Sequence, residues 1–141
     1  MYEIIQKLHS GFAYLAFLLL VIAVVNSFIG LFSKKDFTER DRKIALFALA
    51  AIHTQLLIGI VVYFVSPLGF SALGQMKDAA LRLTSLEHPL MNIIGIVLIT
   101  IGWMKHKKLI TSKSKFKTFS IYYGLGLVLI LSKIPWGSWF N

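Results

Sequence analysis

The sequence predicts an all-α transmembrane four-helix bundle, running up-down-up-down with both termini outside, as a single domain over residues 1–141. Three observations predict it. Four apolar runs, at about 11–32, 44–66, 88–104 and 118–136, punctuate the chain, and a hydrocarbon core about 30 Å thick needs roughly 20 residues of helix. The 57% hydrophobic content and mean hydropathy of +0.74 exceed what a soluble domain of this size carries. Finally, 11 of the 15 Lys and Arg fall in two short segments: Lys34, Lys35, Arg40, Arg42 and Lys43, then Lys105, Lys107, Lys108, Lys113, Lys115 and Lys117. Segments of that kind stay on the cytoplasmic side.

Met1 to Ser10 reads as a short polar leader, and the run from Gly11 to Phe32 is broken only by Asn26 and Ser27. That run is too long for a signal-peptide core and no small-x-small cleavage site follows, so it reads as a retained first span. Ser33 to Lys43 is a compact charged loop. The second span ends near Ser66 and Pro67, because the residue before a proline is biased away from helix.

Leu68 to Glu87 is the longest connection. Its segment KDAALRLTSLEH has the leucines and charges of an amphipathic helix at the outer interface, placed to run into the third span. Pro89 then bends that helix if it lies inside, or begins it if it lies in the first turn. Met104 to Lys117 is the second basic loop. The fourth span closes with Pro135, Trp136 and Trp139, the tryptophans serving as headgroup-level anchors.

Composition removes several functions. The formal charge of +9 invites a nucleic-acid reading, but its confinement to two loops favours positive-inside topology, with attraction to anionic headgroups as a secondary effect. The partner expected is the lipid bilayer and not nucleic acid. Absence of Cys excludes disulfides, Cys-ligated iron–sulfur clusters and covalently attached c-type haem. No paired carboxylates, Gly-rich phosphate loop, HExxH or nucleophile elbow occurs. Three His on different spans with no Asp or Glu at their depth make a poor zinc site.

The chemistry left is that of the histidines. His9 lies at the outer end of the first span and His88 at the outer end of the third, so these two imidazoles are placed to meet. A haem held between helices needs two ligands at comparable depth. His53 sits near the midplane, offset by about 10 Å at 1.5 Å per residue. An imidazole there either bonds a neighbouring helix, for example at Asn26, or marks a haem, quinone or proton site. Gln55 points away from His53 and shares its side with Gly59. His106, among Lys105, Lys107 and Lys108, reads as a solvated loop residue.

Thr84, His88, Asn92, Gly95 and Gly102 form a stripe suited either to helix packing or to close approach of a flat ring. Glu87 is placed to set the His88 tautomer or to pair with Lys133. Lys7, Arg82 and Lys133, all on the outer side, either neutralise haem propionates or snorkel to headgroups. Met91 is an axial-ligand alternative whose ordinary role is core packing.

Leu8-His9-Ser10-Gly11, the stretch from His53 to Gly59, and Arg82 with Glu87-His88 together resemble the small bacterial four-span proteins classed as cytochrome b-like. The resemblance covers nearly the whole chain, including Ser33-Lys34-Lys35 and the Tyr63–Pro67 stretch. His53 followed by Gln55 and Leu-x-Gly is also similar to spans of haem A synthase. Pro89 departs from the family pattern. The resemblance implies non-covalent haem b, electron transfer in or near a respiratory chain with a quinone or respiratory complex as partner, and residence in the bacterial inner membrane. The family's histidines correspond to His9, His53 and His88. Two other classes remain in view: a non-catalytic accessory or assembly subunit of a membrane complex, and a small transporter or quinone-binding protein using His53 and Gln55.

Overall fold

A computed structural model describes residues 1–139, with side chains through Gly137, so the expected Trp139 anchor falls outside the described side chains. Its described residues are helical with no strand. Four long helical stretches carry the architecture: α1 (Tyr2–Ser33), α2 (Glu39–Val65), α4 (His88–His106) and α5 (Ser112–Ser132). A short α3 (Ala79–Arg82) and a π turn (Leu83–Glu87) run straight into α4, and α6 (Trp136–Trp139) follows α5. Three helices, Tyr2–Ser33, Glu39–Val65 and the continuous Ala79–His106, are long and apolar enough to cross a membrane. The protein is a membrane protein on that evidence.

Several boundaries differ from the sequence expectation. The polar leader is the first part of α1, because a helix does not stop where its apolar stretch stops. At the other end α5 starts at Ser112 rather than at residue 118, with Thr111 accepting a capping hydrogen bond from the Ser114 N–H. It ends at Ser132, short of Pro135, whose ring the helix cannot accommodate. The connection before α2 is tight. Lys34 takes a left-handed conformation at φ 55° to end α1, and Thr38 with Asp41 forms a capping box that starts α2.

Without a hydrophobic force between helices in lipid, packing and hydrogen bonds must hold the bundle. Helix α1 packs on α2 and α5, and α5 packs on α4, whereas α2 and α4 touch less. Small residues permit the close contacts: Ala16 and Ala23 on α1, Ala45, Ala48 and Ala51 on α2, all buried. Between α4 and α5 the backbones meet at glycines, where a Cβ on Gly126 would stand 2.8 Å from the Gly95 carbonyl oxygen. Gly102 lies against Tyr122 in the same way. The glycine part of the α4 stripe is thus helix packing.

At the end of the bundle that carries the two basic loops, aromatic rings fill the core. Phe116, Phe119 and Tyr123 are fully buried, and the Tyr123 hydroxyl donates to the Ala45 carbonyl at 2.8 Å. Asp41, also buried, collects the Asn26 amide at 3.0 Å, the Thr38 N–H at 2.9 Å and the Lys35 ammonium at 3.4 Å. His106 belongs to this core rather than to a solvated loop. Because α4 continues past Met104, its imidazole is buried between Trp103 and Phe119, with ring centroids at 4.5 and 4.7 Å.

Candidate functional site

Where α2 and α4 part, at the opposite end, a cavity of about 560 Å³ opens among α1, α2, the start of α4 and the last turn of α5. Its walls are mostly apolar, and its polar lining includes His9, Gln55, Tyr63, His88 and Asn92. A few polar groups converging in an apolar cavity of this size are the usual form of a cofactor or small-molecule site.

His88 is set by an irregularity that Pro89 imposes. Proline has no N–H to offer the carbonyl four residues back, that of Ser85, and its ring crowds that carbonyl. The helix answers with the π turn Leu83–Glu87, in which the His88 N–H reaches Leu83. The displaced Ser85 carbonyl accepts from the Tyr63 hydroxyl of α2 at 2.9 Å. One residue that cannot bond is thereby compensated by a phenol from another helix, and the His88 ring is turned toward α1 and α5.

On α1, His9 is held by α2. The Gln55 amide nitrogen lies 2.8 Å from the His9 carbonyl oxygen and 3.1 Å from Nδ1. Gly59, one turn on, clears room for the ring: a Cβ there would stand 3.2 Å from His9 Cε1. The two imidazoles meet with ring centroids 6.3 Å apart and planes at 81°.

Hydrogen bonds distinguish the two rings. His88 Nδ1 lies 3.0 Å from the Lys133 carbonyl oxygen, an acceptor only, and 3.1 Å from the Asn92 amide nitrogen; with Asn92 donating to the His88 carbonyl at 2.7 Å, Nδ1 gives its proton to Lys133 and Nε2 keeps its lone pair. A ring N–H given to a backbone carbonyl is the usual second contact of a metal-bound histidine. At His9 the Gln55 amide as placed donates to Nδ1, which leaves the ring proton on Nε2. The Gln55 Oε1 atom is buried and has no partner among the described residues. A bare Nε2 on His9 requires that oxygen, instead of the amide nitrogen, to face Nδ1.

The sequence-predicted residues therefore separate into groups. His9 and His88 come together. His53 does not join them: its Nε2 is 2.9 Å from Thr100 Oγ1, whose hydroxyl donates to the Ile96 carbonyl, so His53 Nε2 is the donor. Thr100 thus takes the place expected for Asn26, which is bound to Asp41. Arg82 and Lys133 both reach Glu87, at 3.7 and 3.6 Å, so Glu87 pairs with cations rather than with the His88 ring. Lys7, His53, Arg82, Glu87, Met91 and the Lys133 side chain do not line the cavity. Tyr63 and the Lys133 carbonyl are the contributors that sequence reasoning missed.

Comparison with protein-family models, curated proteins and solved structures found no match.

No cluster of three or more His, Cys, Asp or Glu side chains able to hold a metal ion occurs among the described residues. A haem brings four ligands of its own and asks the protein only for axial ones. His9 and His88, with ring centroids 6.3 Å apart, are the residues that would hold such a group. His88 would offer a bare Nε2 as it stands, whereas His9 would offer one only if Gln55 turned its oxygen to Nδ1 and gave up its 2.8 Å bond to the His9 carbonyl.

Proposed function

We propose that this protein is an integral membrane b-type cytochrome-like protein in which His9 and His88 hold a haem and single electrons pass to or from a respiratory partner. The observation that carries the reading is the meeting of the two imidazoles, from different helices, at 6.3 Å on the wall of the cavity. The haem would supply one-electron chemistry. His9 and His88 would hold it, and the largely apolar pocket would tune its potential. Arg82 and Lys133 share the single carboxylate of Glu87, which leaves one positive charge in excess for a propionate. His53, bonded to Thr100, is a structural residue in this reading.

The membrane arrangement is part of the proposal. Four spans run up-down-up-down, both basic loops face the cytoplasm, and both termini lie outside in a bacterial inner membrane. The cavity then sits toward the outer leaflet, within reach of a membrane quinol as electron donor.

The test is the absorbance spectrum of protein purified from haem-replete cells. Soret and α bands that sharpen on reduction are expected, with loss of both in His9→Ala and His88→Ala and retention in His53→Leu. A folded, colourless parent protein overturns the reading and favours an accessory subunit instead.

A further inference from the structure

A second cavity lies far from the histidine pair, at the end that carries the basic loops. It measures about 280 Å³ and is lined by Phe37, Thr38, Glu39, Arg42, His106, Lys107 and Lys115. Three cations and one carboxylate therefore share one small space. The carboxylate is engaged: Glu39 bonds Arg42 Nε at 2.8 Å and Nη2 at 2.5 Å. Lys107 and Lys115 have no acidic partner among the described ion pairs.

Those two lysines are held beside aromatic rings instead. Lys107 Nζ lies 5.3 Å from the centre of the Trp103 ring, which Arg42 also approaches at 5.8 Å, and Lys115 Nζ lies 5.4 Å from the centre of the Phe37 ring. Cation–π contacts of this kind are weakly favourable at exposed sites. They do not neutralise charge, and the lining keeps an excess of two positive charges.

The position of the cavity selects its ligand. Arg42 precedes the apolar part of α2 by two residues, and Lys107 follows the end of α4 by one. The cavity therefore lies at the border between the apolar core and the charged loops. Large apolar side chains stand exposed nearby in the chain: Phe47 at 59%, Met104 at 57% and Ile110 at 93%. Basic pockets between helices at this border take anionic lipid headgroups.

We infer that the cavity between Arg42, Lys107 and Lys115 is a binding site for a phosphate diester, supplied by the headgroup of an anionic phospholipid. The phosphate oxygens accept from the two unpaired ammonium groups, Phe37 walls the glycerol portion, and the acyl chains extend toward the apolar part of the bundle. This site is independent of any cofactor at the other end.

The test uses the full chain purified in a nonionic detergent and titrated with phosphatidylglycerol, phosphatidylcholine and inorganic phosphate, with bound lipid read by native mass spectrometry. Phosphatidylglycerol should bind and phosphatidylcholine should not. The pair Lys107→Gln with Lys115→Gln should weaken binding about 30-fold, two lysines each worth about fivefold. Lys108→Gln with Lys113→Gln removes the same charge outside the cavity and should change it by less than about twofold. Replacement of Lys107 and Lys115 by Arg should retain binding, which separates lost charge from lost folding. Equal losses in the two Gln pairs would overturn the site, and displacement of the lipid by equimolar inorganic phosphate would overturn the headgroup assignment.

Discussion

Removing the Tyr63 hydroxyl tests how the protein accommodates a proline at residue 89. Tyr63→Phe keeps the ring and deletes only the donor that satisfies the Ser85 carbonyl at 2.9 Å. Ser85 is 1% exposed, so water does not replace the lost partner. A neutral hydrogen bond contributes about 1 kcal/mol, and an orphaned buried carbonyl raises the cost to about 2 kcal/mol. In the Pro89→Ala background the outcome changes. Alanine restores an N–H that can bond the same carbonyl, so Tyr63→Phe should then cost less than about 0.5 kcal/mol. The expected coupling between the two positions is about 1.5 kcal/mol, within the range for residues sharing one network. Reversible unfolding of the four proteins of this cycle in mixed micelles, followed by helical circular dichroism, measures it. Additive effects, with Tyr63→Phe costing the same in both backgrounds, would refute the account of how His88 is positioned.

Three other outcomes follow from the packing and the polar contacts. Gly126→Val places a Cβ 2.5 Å from Ile99 Cγ1 and 2.8 Å from the Gly95 carbonyl oxygen; the resulting separation of α4 and α5 should cost about 2–3 kcal/mol in the same unfolding assay. Asp41→Ala removes the capping acceptor of Thr38 and the partner of Asn26 and Lys35, and should cost about 2 kcal/mol, more than Lys35→Ala alone. His53→Leu breaks only the bond to Thr100. It should cost about 1 kcal/mol and leave any ligand-dependent stabilisation at His9 and His88 unchanged in thermal unfolding.

The four long helices, three of them apolar enough to cross a membrane, and the convergence of His9 and His88 were legible in the sequence because both follow from simple lengths. An apolar run reports where a helix crosses lipid, and the distance of a histidine from the run's end reports its depth. The side of α2 that carries Gln55 and Gly59 was legible too, since four residues make about one turn. What was not legible is whatever hydropathy does not measure. Residues Tyr2 to Ser10 are helical although polar, and Lys113, Lys115 and Lys117 lie inside α5. His106 looked solvated because its sequence neighbours are lysines, whereas a helix sends neighbours to different faces and buries the imidazole against Trp103, three residues back. The π turn required knowing that a phenol from α2 stood ready for the Ser85 carbonyl. Asn26 and His53, both polar within apolar runs, each have a partner, but the partners are Asp41 and Thr100 rather than one another.

Electron paramagnetic resonance of the oxidised, purified protein addresses the histidine pair most directly, because it reads the number and the mutual orientation of the axial ligands. Two imidazoles on one haem with planes near the 81° seen between His9 and His88 should give a strongly anisotropic low-spin ferric signal, absent from the His9→Ala and His88→Ala proteins. A high-spin signal, or a low-spin signal that survives both substitutions, would contradict the account.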